Sequence, residues 1–416
     1  MKISDIRPEV RTLAAEVEGD LRAVFDRIDE TAQINTAKVM QAFQDNRVSD
    51  ACFAGTTGYG YDDLGRETLD KIYAQVFGTE AALVRTGFVN GSHALTAAMF
   101  ALVGPGDTLL AATGAPYDTL RSAIGICGDC HGSLRFYGVD YTQVELAADG
   151  GADYEAIRRA ASNTRVRAVL IQRSRGYEDR RALSVEEIGR ICAAVKEVNP
   201  AAYVMVDNCY GEFTQTIEPT ELGADIIAGS LIKNPGGGLA PTGGYVAGKK
   251  ELVDRAAMRL TTPGIGGECG STLGVNRLLF QGLFLAPHTV AQAMKTAVFC
   301  AAMMERAGYE TSPKALEERP DIIQMIKLGS AENMKRFCAG IQAGAPVDSY
   351  VTPEPWQMPG YDCPVIMAAG SFIQGSSIEL SADGPFQPPY TVYMQGGLTY
   401  ESGKLGIMMA LSAMMD

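Results

Sequence analysis

Short apolar runs of four or five residues recur through the middle of the chain, each cut off by glycine or a polar residue. Tyr203-Val204-Met205-Val206 stops at Asp207, and Asp225-Ile226-Ile227-Ala228 stops at Gly229-Ser230. Gly243-Gly244-Tyr245-Val246-Ala247 follows a loop rich in glycine and proline. Ala81 to Val84, Thr108 to Ala112, Leu134 to Tyr137 and Arg167 to Ile171 have the same character. Runs of this length without alternation predict strands buried on both faces of a parallel sheet. Between them the period shifts to three and four residues. A helix is predicted from Arg66 to Phe77, ending at Gly78, and another opens near Asn90 and continues to Val103. A third opens at the Ser184–Glu187 capping box and is followed by Pro200. Strands alternating with helices predict an α/β fold built on a mostly parallel sheet.

The flanks differ. Val10, Leu13, Ala14, Val17, Leu21 and Val24 form one apolar stripe, and a second short helix is expected from Thr31 to Gln44. Residues 1–50 are therefore expected to form a helical arm that packs on a partner subunit or another domain. After Leu260, a long helical stretch from Val275 to Ala307, expected to break near Pro287, leads into shorter strands and many prolines. The expected division is the arm, a large domain over 51–287 and a small C-terminal α+β domain over 288–416.

Composition narrows the function classes. Of 416 residues, 46% are hydrophobic and 20% charged, which suits a large core and not disorder. A net charge of −13 opposes a nucleic-acid surface. No apolar run reaches spanning length and no leader pattern opens the chain, so a soluble, cytoplasmic protein without membrane contact is expected. Nine cysteines without framework spacing read as reduced thiols. Cys127-Gly128-Asp129-Cys130-His131 has haem-attachment spacing, but without an export signal it reads as a loop holding two thiols. No metal-ligand set is predicted.

Ligands of parallel sheets collect beyond the carboxyl ends of the strands. That rule puts Asp207 at one strand end and Lys233 just past the next. A desolvated lysine has a lowered pKa and a nucleophilic amine, and an acid nearby can hold a protonated pyridine nitrogen. Taken in isolation, the pair reads more simply as a turn-capping acid and a surface lysine. Asn90-Gly91-Ser92-His93 fits an anion site at a helix start and an ordinary N-cap equally well. Tyr117 follows another strand, and Gln172-Arg173-Ser174-Arg175-Gly176-Tyr177 forms a polar cluster at the end of a third.

These features in this order resemble a fold-type-I pyridoxal-phosphate enzyme. The chain is similar to the methionine γ-lyase-like family, also called aluminium-resistance proteins, which are relatives of the cystathionine lyases. The resemblance rests on GYGYDDLGRETL, GSHAL, GAPYDTL, IQRSRGY, VDNCYGEF, GSLIKNPGGG, FQGLFLAPH, SIELSADGP and YMQGGLTY, spread from about residue 55 to 400. It implies pyridoxal 5'-phosphate carried by Lys233, whose amine also moves protons at the substrate. Asp207 would pair with the pyridinium nitrogen, and Tyr117 would lie on the ring and protonate a leaving thiolate. Tyr210, in VDNCYGEF, joins the cofactor-binding set. Gly91, Ser92 and His93 N–H groups with the Ser230 hydroxyl would hold the phosphate. Tyr59 and Tyr61 would reach a neighbouring subunit's phosphate site, making a homodimer or homotetramer with shared sites.

The reaction implied is β- or γ-elimination from a sulfur-containing amino acid. Transamination, replacement, cyclisation and a non-catalytic role are the alternatives. Two positions depart from the pattern. Asp63 stands where related lyases have an arginine, for which Arg66 is the nearby substitute. Gln387 stands where GP-x-R-P-P-Y has its arginine. If that arginine grips the substrate carboxylate, Arg173 or Arg175 is the candidate replacement. The plain alternative pairs these arginines with Glu178 and Asp179.

Overall fold

The computed structural model describes residues 1–128, 131–358 and 363–415. The chain opens with helix α1 (Pro8–Asp45), then α2 (Leu64–Val76), strand β1 (Ala81–Arg85), α3 (Gly91–Leu102), β2 (Thr108–Ala111), α4 (Asp118–Ile124) and β3 (Asp140–Gln143). It continues through α5 (Tyr154–Ala161), β4 (Val166–Gln172), α6 (Val185–Val198), β5 (Tyr203–Asp207), β6 (Ile226–Ser230), β7 (Gly244–Gly248) and α7 (Lys250–Leu260). Strands β1 to β7 make one seven-stranded sheet in the order β1-β7-β6-β5-β4-β2-β3. β6, β5, β4, β2 and β3 run parallel, while β7 is antiparallel to both neighbours. The α/β expectation holds, with one correction: the third strand of the central stretch runs against the others. The loop 231–243 holds no crossover helix, so the chain returns beside β6 and not parallel to it.

Helix α8 (Asn276–Arg306) leads to a second sheet of β8 (Glu310–Ser312), β9 (Ile323–Lys327), β10 (Val365–Ala369), β11 (Ser381–Pro385) and β12 (Thr391–Gln395). This sheet is antiparallel, in the order β10-β11-β12-β9-β8, and is accompanied by α9 (Ala331–Ala343) and α10 (Tyr400–Met414). Pro287 lies inside α8, which does not break there. Against α8 lies the turn after Lys233: a Cβ on Gly237 would stand 2.3 Å from the Gly282 carbonyl.

The arm is one helix of 38 residues and not two, because its buried stripe runs on through Ile28, Asn35, Val39 and Ala42. Asn35 is buried and donates to the carbonyls of Phe213 and Gln215, tying α1 to the large sheet's loops. The strand expected at Leu134 to Tyr137 is a series of turns, with Leu134 and Arg135 N–H groups donating to Ala123 and Ile124 at the end of α4. The actual strand is the polar edge segment β3, which lacks a buried face and so an apolar run.

Candidate active site

The parallel strands bring their carboxyl ends to one edge, where Asp207 ends β5 and Lys233 follows β6. Asp207 is buried, and its Oδ1 accepts from Cys209 N–H at 3.1 Å. Burial pushes its carboxyl up, and the charge of Lys233 opposes this. Lys233 Nζ lies 3.9 Å from the centroid of the Tyr210 ring. Burial pulls the ammonium down as expected, but Cys209, Tyr210, Asp207 and Glu212 outweigh it and leave the pKa raised. The expectation of a lowered pKa is corrected: desolvation operates, but the site is also acidic.

Tyr210 sits at φ +71°, a left-handed conformation unfavourable for an aromatic residue, so its turn must be held from outside. Arg173 does much of this. It is fully buried, with Nη1 donating to Asn208 at 2.8 Å and to Glu218 at 3.4 Å, and Nη2 donating to Thr214 and Gln215. Asn234, next to Lys233, donates to the Glu212 carbonyl at 3.0 Å and joins this turn to the lysine loop. Glu212 is wholly buried, accepts from the Tyr245 hydroxyl at 2.9 Å, and is pushed up to about 8 by burial. Sequence reasoning quoted Glu212 within VDNCYGEF without giving it a role.

An anion cradle lies beside the lysine. Ser230 Oγ is buried without a hydrogen-bond partner, and a Cβ on Gly91 would approach Ser230 Cβ to 2.9 Å. Only glycine lets the start of α3 come this close to β6. The N–H groups of Gly91 and Ser92 point out of the first turn, whereas His93 N–H donates to the capping Asn90 side chain at 2.9 Å. The two readings of this helix start therefore coexist, with His93 on the capping side. Ser92 Oγ meets Thr119 Oγ1 at 2.9 Å. A buried hydroxyl lacking a partner, free backbone donors and a Cβ-free approach fit a phosphate group. Asp207 and Lys233 on the adjoining strand ends fit the rest of pyridoxal phosphate.

Tyr117 enters α4 from the end of β2, and its N–H donates to Gln172 Oε1 at 2.8 Å, which fixes it against the end of β4. Its ring meets Tyr177 edge-on at 6.2 Å, and Tyr177 lies 5.3 Å from Tyr393 of the second sheet. Behind them Arg180, singled out by no motif, donates to the carbonyls of Thr113, Gln172 and Ser174 and so laces β2 to β4. Asp383, on the opposing sheet, is buried with Oδ1 unpartnered and is pushed up to about 7 by burial.

The remaining predicted residues lie elsewhere. Arg175 is buried, donates from Nη2 to Ser312 at 3.1 Å, and turns toward the second sheet's first strand. Neither arginine pairs with Glu178 or Asp179; Glu178 meets Arg121 and Arg180, and Asp179 meets Lys327. Gln387 is exposed on the turn between β11 and β12. Arg66 is no substitute phosphate ligand, since its guanidinium donates to the carbonyls of Gly60, Glu268 and Gly270. Asp63 caps α2 through Arg66 N–H and accepts from Thr56 and Thr272, which explains an acid there. Tyr59 and Tyr61 stack at 5.3 Å and are 66% and 53% exposed. Cys127 is exposed and Cys130 lies outside the described residues. Among the described residues no cluster could hold a metal, and no helix is long and apolar enough to cross a membrane.

Comparison with known proteins agrees with this geometry. The model of the methionine gamma-lyase family matches residues 10–415. YnbB of Bacillus subtilis (strain 168) is 48% identical over 408 residues, covering 98% of this chain and 97% of that one. The crystal structure of a carbon-sulfur lyase involved in aluminum resistance from Clostridium novyi NT superposes with a TM-score of 0.95 at 51% identity, covering 98% and 96% of the two chains. The fold alone is shared with the pyridoxal-5'-phosphate dependent protein YhfS from Escherichia coli, at TM-score 0.61 and 17% identity over 92% and 95%.

Proposed function

Because the chain belongs to the methionine gamma-lyase family, we propose that it is a pyridoxal-phosphate-dependent carbon–sulfur lyase. Its substrate is a sulfur-containing amino acid, which it cleaves by β- or γ-elimination. The observation that carries this reading is the juxtaposition of Lys233, Asp207 and the unpartnered Ser230 hydroxyl against Gly91. The cofactor supplies an aldehyde for an amine and a ring that stabilises negative charge at the carbon next to that amine.

The chain's own groups do the rest. Gly91 and Ser92 N–H and Ser230 Oγ hold the phosphate, helped by the positive end of α3. Asp207 keeps a proton on the ring nitrogen. Lys233 takes the proton from the substrate Cα and returns it, and its amine must first lose the proton that the acidic surroundings favour. In this reading the Tyr117 hydroxyl protonates the departing sulfur. Tyr59 and Tyr61 complete the phosphate site of a second copy, so the working unit is a homodimer or larger.

Incubation with methionine, cystathionine and cysteine should release a 2-oxo acid and ammonia together with a thiol, or hydrogen sulfide in the case of cysteine, detected by mass. Pyruvate marks β-elimination and 2-oxobutyrate marks γ-elimination from these substrates. Amino-group transfer to an added 2-oxo acid, without thiol release, would replace the lyase reading with transamination. Borohydride reduction and peptide mapping should place a pyridoxyl adduct on Lys233; an adduct on Lys249 or Lys250 would refute the assignment.

A further inference from the structure

Away from the strand-end site, a cavity of about 920 Å³ opens between α1, the start of α6 and the loop joining β8 to β9. Its size is that of a small-molecule site. Val24 and Ile28 of α1 and Met294 and Val298 of α8 provide apolar wall; Arg27, Arg181 and Arg190 line its more exposed side and Arg175 and Arg319 its buried side. Both arginines are buried, at 0% and 6% exposure. Arg175 uses Nη2 on Ser312, and Arg319 uses Nη2 on the carbonyls of Pro313 and Lys314. The Nε and Nη1 atoms of both have no hydrogen-bond partner.

Neither guanidinium makes an ion pair among the described residues, in contrast to Arg173 with Glu218. The acid that acts on both is Asp321, whose carboxylate is engaged by the backbone N–H groups of Ile323 and Arg175. Asp321 is the buried acid the two share; Asp179 and Glu317 act further on Arg175 and Glu305 on Arg319, none of them within ion-pair distance of either guanidinium. Of the four glutamates lining the cavity, Glu187 is engaged by Arg181, Glu186 by Gln215 and Glu317 by the Lys314 N–H, while Glu318 is exposed to solvent. A buried charge without a partner is costly, and arginine forks match carboxylate and phosphate oxygens. An anion entering here would meet donors that nothing else uses, while its apolar part would lie against α1 and α8.

We propose that this cavity is a second, non-catalytic site for a small organic anion, an apolar body with an acidic head seated on Arg175 and Arg319. The probes are hexanoate, 1-hexanol as the same body without charge, and inorganic phosphate as a head without a body. Each is titrated calorimetrically into cofactor-saturated protein at constant ionic strength. Hexanoate is expected to bind saturably, and more tightly than either hexanol or phosphate. Arg319→Met should weaken hexanoate by about tenfold or more, the loss of charge-assisted hydrogen bonds. Arg27→Glu, an exposed change at the rim of the cavity, should weaken it without disturbing the fold. Hexanoate binding that matches hexanol, or that is unchanged in both variants because the acid sits in the catalytic cleft, would overturn the proposal. Loss of lyase activity has no bearing on this outcome, so the two readings fail separately.

Discussion

Two carboxyls show how the fold sets chemistry one residue at a time. Asp383 is pushed from 3.8 up to about 7 by burial, and Glu212 from 4.5 up to about 8. The folded protein therefore keeps protons that the unfolded chain releases near 3.8 and 4.5. For Asp383, stability falls as pH rises between about 4 and about 7 and levels off above that. Asn mimics the protonated acid without titrating, so Asp383→Asn should show a smaller loss of melting temperature across that window. Melting curves from pH 5 to 8 check this, and parallel curves for wild type and variant would contradict it. Both acids lay inside sequence motifs, but nothing in the order of residues announces that they are buried.

At the scale of an element, the turn after β5 is the part that local sequence explains least. Tyr210 at φ +71° stands over Lys233 because Arg173, Asn208 and Glu218 brace the turn from below. Breaking a buried pair by removing one partner costs roughly 3–5 kcal/mol. Glu218→Gln leaves the Arg173 charge unpaired and should lower unfolding stability by about that amount, measured by chemical denaturation. Arg173→Met should also destabilise. A stable Arg173→Met protein with only a raised KM would instead make Arg173 a carboxylate grip.

For the whole molecule, the exposed aromatic pair is the informative feature. The loop bearing Tyr59 and Tyr61 is locked in place: a Cβ on Gly60 would lie 2.7 Å from Ser271, and one on Gly55 would lie 2.3 Å from Gly274. A rigid loop that presents two stacked tyrosines, beside Leu273 at 70% exposure, is suited to meeting a second copy. Sedimentation should therefore find a dimer or larger. Tyr59→Ala with Tyr61→Ala should weaken cofactor retention in equilibrium dialysis while the melting profile of the chain persists. A monomer that retains the cofactor fully would contradict shared sites.

The chain's own order determined what depends on near neighbours. Four- and five-residue apolar runs made the central strands because a strand buried on both faces needs nothing polar along it. Asn90 and the Ser184–Glu187 box opened their helices as cap chemistry requires. The glycine-flanked Lys233 and strand-ending Asp207 were visible for the same reason. What spans long separations was decided only in three dimensions. β3 is a polar edge strand with no run to show, and β7 turns antiparallel because its loop carries no crossover α-helix. Arg173 was a candidate for substrate until Glu218, far along the chain, proved to be its partner. Arg66 was likewise claimed by carbonyls near residue 270. Charges find their counterparts through packing, and packing is not written in local spacing.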